Sequence, residues 1–323
     1  MDERRARVIS QEKGSYRISS GADMKAAAVS GKYRYEAVTV SDYPAVGDYV
    51  LAQWPEDDAP AVIRSLFPRK SCFIRRAAGS AKQEQVVAAN IDTVFICMSL
   101  NQNYDLRRLE RYLSIAYDSG AAPVVVLTKA DLCRDVDSRV SEVRGAAPGV
   151  DILAVSSLNG DLGAVTRYIL PGRTVAFLGS SGVGRSTLIN QLTGTHSLAT
   201  GTVGAADKGR HTTTHRELIT LSNGAFLIDT PGMRELGMWD SGGGIDAAFR
   251  DAEGLARTCR FSNCTHTSEP GCAIQQALAD GTLDAARWRS FRKLKLEDRS
   301  AADNSRYQAA KRERARACRK RHS

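Results

Sequence analysis

The sequence predicts three units in series: a small β-barrel, a mostly parallel α/β core of the P-loop kind, and a helical end built around a metal. Three observations carry this reading. A glycine-rich loop, Gly179-Ser180-Ser181-Gly182-Val183-Gly184-Arg185-Ser186-Thr187, lies between an apolar strand and a helix. From about residue 86, short apolar runs alternate with helix-period segments, as buried parallel strands and their crossover helices do. Three cysteines and a histidine crowd together between Cys259 and Cys272.

The first unit, residues 1–72, reads as short β segments: Ala6–Ile9, Ser15–Ile18, Tyr35–Val40, Asp48–Ala52 and Ala61–Phe67. Turn-rich stretches separate them, and strands with little helix suggest a five-stranded OB-fold barrel. The second unit, residues 73–237, holds the apolar strands Thr93–Met98, Val124–Leu127, Ile152–Val155, Val175–Leu178 and Phe226–Ile228. Leu106–Tyr117 and Leu188–Leu192 have helical spacing. The third unit, residues 238–323, is mostly helical and ends in a tail in which eight basic residues between Arg306 and Arg321 face Glu313 alone among acids.

Composition narrows the class. A hydrophobic fraction of 42% supports ordinary globular cores, and no apolar stretch approaches the roughly 18 residues of a membrane span. The start, MDERRARVIS, lacks an apolar signal core, so a cytoplasmic protein with no membrane partner is expected. The formal charge of +9 favours a polyanionic partner. In a reducing compartment a Cys/His cluster points to metal rather than to disulfides.

The glycine-rich loop fits phosphate. Glycines let the backbone curl so that N–H groups face phosphate oxygens, and the following helix adds the positive end of its dipole. Ser186 is placed to ligate Mg²⁺. One position departs from G-x-x-x-x-G-K-[ST]: Arg185 stands where lysine is usual. Arginine keeps the charge but is longer, planar and forked. Nucleotide binding is expected to survive, and the catalytic contribution of Arg185 is where turnover becomes sensitive.

Thr128-Lys129-Ala130-Asp131, at the end of an apolar strand, matches the [N/T]-K-x-D guanine motif. A carboxylate at Asp131 accepts from guanine N1–H and the 2-amino group, a donor pair adenine lacks. The Lys129 stem covers the ring. Ser156 and Ser157 follow another short strand and suit the loop that reads guanine O6. Asp229-Thr230-Pro231-Gly232 is a D-x-x-G motif. Asp229 would hold Mg²⁺ through water, and the Gly232 N–H would sense the γ-phosphate. Between the glycine-rich loop and this motif, Gly209-Arg210-His211-Thr212-Thr213-Thr214 occupies the first-switch position, with Thr213 the preferred Mg²⁺ ligand. Met233 stands where many GTPases place a water-orienting glutamine. His211 is the candidate to orient the water instead, against a role limited to structural contacts.

Base motifs therefore precede phosphate motifs, the reverse of the ordinary order. A single chance motif is easily found, but five in one cyclic order indicate a circularly permuted GTPase core binding GTP or GDP with Mg²⁺. The set Cys259-x4-Cys264-x-His266-x5-Cys272 is a Cys₃His group typical of one closed, structural Zn²⁺.

These motifs resemble a known family, the circularly permuted GTPases of late small-ribosomal-subunit maturation in bacteria. The strings GRHTTTHRE (Gly209–Glu217), DTPG (Asp229–Gly232) and CTHTSEPGC (Cys264–Cys272) carry the resemblance. It implies an OB barrel, a permuted GTPase core and a zinc domain. It further implies GTP hydrolysis stimulated by the 30S subunit, contact with 16S rRNA and release of assembly factors. Because Arg185 departs from the family's lysine, a hydrolysis-impaired, nucleotide-gated rRNA-binding factor is the alternative expectation. Nothing in the sequence calls for more than a monomer.

Overall fold

The computed structural model describes residues 2–12, 14–76, 84–156, 162–194, 217–229 and 243–300. The chain begins with strands β1 (Asp2–Glu12), β2 (Ser15–Ser20) and β3 (Asp23–Val29), then helix α1 (Gly31–Glu36), then β4 (Tyr49–Trp54) and β5 (Ala61–Leu66). They pair in the order β1-β2-β3-β5-β4, and β4 returns to β1, so the sheet closes into a five-stranded barrel. Only β3 and β5 run parallel. Alternation along each strand fills the interior: Ala6 and Val8, Tyr16 and Ile18, Ala27 and Val29, Val50, Ala52 and Trp54, Ala61 and Ile63 form one buried cluster.

The expected barrel is present, but one strand lies elsewhere. Tyr35–Val40, expected as a strand for its aromatic and β-branched residues, instead spans the end of α1 and an irregular segment. The Ser30 side chain accepts the Tyr33 amide and caps α1, committing the segment to helix. Tyr35 is 92% and Val38 75% exposed, so they have no core to join. The missing strand is β3, whose sequence DMKAAAV is dominated by alanine and carries little β signal.

A hairpin of β6 (Cys72–Arg76) and β7 (Glu84–Ala89) leads to the core. There follow β8 (Thr93–Ser99), α2 (Leu106–Ser119), β9 (Ala122–Thr128), α3 (Val136–Ala146), β10 (Asp151–Ala154), α4 (Gly163–Thr166), β11 (Thr174–Leu178), α5 (Arg185–Thr193), β12 (Glu217–Thr220) and β13 (Phe226–Asp229). The sheet order is β10-β9-β8-β11-β13-β12, parallel except for β12. Both faces are covered. Val94, Ile96 and Met98 of β8 face one buried cluster; Phe95 and Cys97 face the other. That explains the unbroken apolar runs of the sequence.

The last described segment holds α6 (Gly244–Ala248), α7 (Arg250–Arg257), α8 (Ala273–Ala279) and a helix over residues 285–300, α9. It shares the core of the α2 face through Phe249, Ile274, Trp288, Phe291 and Leu294. A buried ion cluster fixes the junction. Arg287 donates to both oxygens of Asp251 at 2.7 Å, to Glu110 Oε1 at 3.1 Å, and to the Ala146 and Ala248 carbonyls at 3.0 Å. Glu110 is wholly buried and is also held by Arg107 Nη1 at 2.8 Å on both oxygens, so Arg287 is its second cation and the one that ties it to the last segment. Arg111 pairs with Glu297 at 2.6 Å beside it. The barrel is fixed to the core in a similar way: buried Arg7 donates to Thr174 Oγ1 at 2.6 Å and stacks on Tyr49 and Phe226.

Asp118, at the end of α2, accepts the Gly244 amide at 2.6 Å where α6 begins. A Cβ on Gly244 would come within 2.2 Å of the Ser114 carbonyl, so glycine is required at this approach. Burial, with Asp298 and Asp246 nearby, pushes the Asp118 carboxyl up to about 6. A raised carboxylate pKa means the folded state binds a proton the unfolded state has released. Its contribution to stability therefore falls as pH rises from about 4 to about 6. Asp118→Asn keeps the acceptor and removes the charge. Thermal unfolding should show this variant more stable than wild type at pH 7.5 and indistinguishable from it near pH 4.

Candidate functional site

The parallel strands turn their carboxyl ends to one edge, and the motifs gather there. The chain runs from β8 outward to β9 and β10 on one side, and from β11 to β13 on the other. Strand order thus reverses between β8 and β11. A crevice outside the strand ends at such a switch point is where open α/β sheets bind ligands.

The 179–187 loop leaves β11 at this point. Gly179 has φ +153° and packs so closely that a Cβ would meet the Cys97 carbonyl at 2.7 Å. Gly182 and Gly184 also have positive φ, and Gly184 caps α5. Such a glycine-permissive loop running into a helix start fits a polyphosphate. Ser181 and Gly182 are exposed on it, while Ser180, Ser186 and Thr187 are half-buried and Val183 is buried. Arg185 is 6% exposed, with Nη1 3.5 Å from the Phe177 carbonyl at the end of β11. Burial pushes the neighbouring Cys97 thiol up to about 12 against the opposing pull of the Arg185 charge, so Cys97 is neutral.

The TKAD segment is tied to this loop directly. Thr128 Oγ1 donates to the Val183 carbonyl at 2.5 Å, and Lys129 Nζ to the Gly182 carbonyl at 2.9 Å. Lys129 adopts φ +57°, which turns the chain into the short helical turn Ala130–Leu132. Asp131 is exposed there, and Ser156 Oγ donates to its Oδ1 at 2.6 Å. The Ala130 amide bonds to the Val155 carbonyl, joining the TKAD segment to the chain just after β10. Asp131 is thus aimed and partly satisfied by Ser156, leaving acceptor capacity for two donors on a base edge. Asp229 ends β13, and the Ala176↔Ile228 register sets it beside the end of β11. Ser157, His211, Thr213, Gly232 and Met233, with the basic tail, lie outside the described residues.

The structure adds supporting side chains that no motif announced. Arg108, on the first turn of α2, donates to Ser180 Oγ at 3.0 Å, and Asn103 Nδ2 donates to the Ser181 carbonyl at 3.4 Å. Ser180 and Arg108 are 72 residues apart, and no local pattern links them.

At the far side of α2, the ligand atoms of Cys259, Cys264, His266 and Cys272 lie within 4.8 Å of one another. Cys259 Sγ is 3.4 Å from His266 Nδ1 and 4.0 Å from Cys272 Sγ, and Cys272 Sγ is 3.6 Å from Nδ1. Four ligands around one zinc, with Zn–S about 2.3 Å and Zn–N about 2.0 Å, stand about 3.5–3.8 Å apart along tetrahedral edges. The donor set and spacing therefore fit a single structural zinc. His266 takes φ +60°, its carbonyl accepts Gln275 Nε2 at 2.6 Å, and its ring meets Trp288 edge-on at 5.5 Å. These contacts hold Nδ1 toward the sulfurs. Burial, with Cys272 and Cys259 close by, pushes the Cys264 thiol up to about 11. At Cys259 amide donation from Ala273 and Ile274 outweighs burial and draws the thiol below its ordinary value.

The RsgA GTPase family model matches residues 66–239. A protein of Lactiplantibacillus plantarum named small ribosomal subunit biogenesis GTPase RsgA 2 is 46% identical over 302 residues, covering 93% of this chain and 85% of that protein. A relative from Opitutus terrae with the corresponding name is 44% identical, covering 92% of this chain and 84% of its own length. Among solved structures, YjeQ from Thermotoga maritima superposes with a TM-score of 0.70 at 23% identity, covering 92% of this chain and 99% of that one. YloQ, described as a circularly permuted GTPase, gives 0.67 at 22% identity over 93% of this chain and 96% of its own. These two establish the likeness of fold.

One zinc per chain is expected by elemental analysis of the purified protein. Cys272→Ser should drop that content to near zero and lower the unfolding temperature. Acidification should release the metal, because each thiolate must take up a proton to leave it.

Proposed function

Because the chain belongs to the RsgA GTPase family, we propose that it hydrolyses GTP in the maturation of the small ribosomal subunit. The observation that carries this reading is the pair of hydrogen bonds from Thr128 and Lys129 to the 179–187 loop. They join a guanine-reading segment to a phosphate-binding one in a single crevice. Asp131, aimed by Ser156, selects guanine. Lys129 holds the loop while its stem flanks the base, with Thr128 locking the strand end and Ser157 completing the base loop. Gly179–Thr187 cradle the phosphates.

Mg²⁺ supplies charge neutralisation on the phosphates when bound, and Ser186, Thr213 and Asp229 would hold it. Gly232 senses the γ-phosphate, and His211 orients the attacking water in place of the glutamine that Met233 displaces. Arg185 keeps the P-loop cation. Its buried guanidinium, drawn toward Phe177, sets how much of that charge reaches the phosphates.

The partner is the 30S subunit and its 16S rRNA, contacted through the barrel and the zinc-binding segment by a monomeric, cytoplasmic protein. The +9 formal charge supports a polyanionic partner. Among the described residues no helix is long and apolar enough to cross a membrane.

A GTPase assay with and without purified 30S subunits tests this. Turnover of GTP, low alone and raised several-fold or more by 30S subunits, is the expected result. Arg185→Lys should raise nucleotide affinity or turnover further. No hydrolysis in either condition, with GTP still bound, would leave only a nucleotide-gated binding factor.

A further inference from the structure

We propose that Arg108 is a positioning residue for the phosphate-binding loop, acting on it through the Ser180 hydroxyl. The proposal rests on the reading of Gly179–Thr187 as a phosphate cradle. A loop that binds phosphate through its backbone works only if the backbone is held in one shape before the ligand arrives. Among the described residues, side chains from two other segments reach the loop. Thr128 and Lys129 secure Val183 and Gly182 on the base side. Arg108 and Asn103, at the start of α2, secure Ser180 and Ser181.

Arg108 is equipped for that role. Asp105 caps α2 by accepting the amides of Arg107 and Arg108. The same carboxylate pairs with Arg108 Nη2 at 3.3 Å, which leaves Nη1 for Ser180 Oγ at 3.0 Å. The guanidinium is thus oriented from its own helix before it meets the loop. It also lines, with Asn103, Tyr112, Cys97, Ser180 and Val183, a small crevice between α2 and the loop. Burial raises the pKa of the Tyr112 hydroxyl in this crevice, and the charges of Arg108, Arg185 and Arg111 act against that rise.

The same helix bears on the zinc-binding segment through Glu110, Arg111 and Asp118. Arg108 therefore couples the loop to the element on which that segment is mounted.

The test measures affinity for a fluorescent GDP and steady-state GTP hydrolysis in wild type, Arg108→Ala, Arg108→Lys, Ser180→Ala and the Arg108→Ala/Ser180→Ala double variant, with thermal unfolding of each. Removing a charge-assisted hydrogen bond that shapes the loop should weaken nucleotide binding roughly 5- to 20-fold. Arg108→Lys, which keeps a donor, should recover part of it. Ser180→Ala should cost a similar factor, and the double variant should be no worse than the worse single variant, because both changes break one contact. The unfolding temperature should change little. Nucleotide affinity unchanged in Arg108→Ala, or factors that multiply in the double variant, would overturn the proposal, as would a fall in unfolding temperature that accounts for the whole loss. Failure of wild type to bind guanine nucleotide would instead refute the phosphate-cradle reading itself.

Discussion

The structure depends on the reversal of strand order between β8 and β11. Because one half of the sheet grows away from β8 and the other away from β11, a crevice opens at their carboxyl ends. Residues from 128 to 229 in the chain then meet at one edge. The order of the motifs along the chain does not matter to that crevice, provided each strand ends in the right loop. This is why a permuted sequence can rebuild the site. What joins its two halves is small and specific: one threonine hydroxyl and one lysine ammonium, each donating to a carbonyl of the glycine-rich loop.

The helix after β8 turns this local arrangement into an extended one. α2 presents Arg108 to the loop, Glu110 and Arg111 to α9, and Asp118 to the start of α6. Its apolar face lies in the same core as Ile274 and Trp288, next to Cys272 and His266 of the Cys₃His cluster. Permutation adds a second link, in sequence: α6 and the zinc-binding segment are the next described elements after Asp229 along the chain. The nucleotide crevice and the metal site are therefore connected both along the chain and through a packed helix.

Much of this was legible in the sequence, for identifiable reasons. Parallel strands buried on both faces read as apolar runs, so β8, β9, β10, β11 and β13 could be located within a few residues. The glycine-rich loop, TKAD and the Cys₃His group are short and local, and their chemistry survives without knowledge of the fold. The barrel was readable as a class but not strand by strand. Alanine-rich β3 carries almost no β signal, and the aromatic segment at Tyr35 is diverted by the Ser30 cap. The ion cluster at Arg287, Glu110 and Asp251 and the Arg108–Ser180 contact were invisible. They join residues 36 to 177 positions apart, and any one of them alone looks like a solvated charge.

The central claim is that the permuted chain forms one guanine-specific crevice in which Asp131 reads the base. Exchanging that carboxylate for an amide measures it most directly. Asp131→Asn loses the double acceptor for the guanine N1–H and amino group and gains a donor suited to the 2-oxo group of xanthine. Competition binding should show affinity for GTP falling roughly 100-fold or more while XTP binds in its place. Undiminished GTP affinity in this variant, with no gain for XTP, would contradict the account.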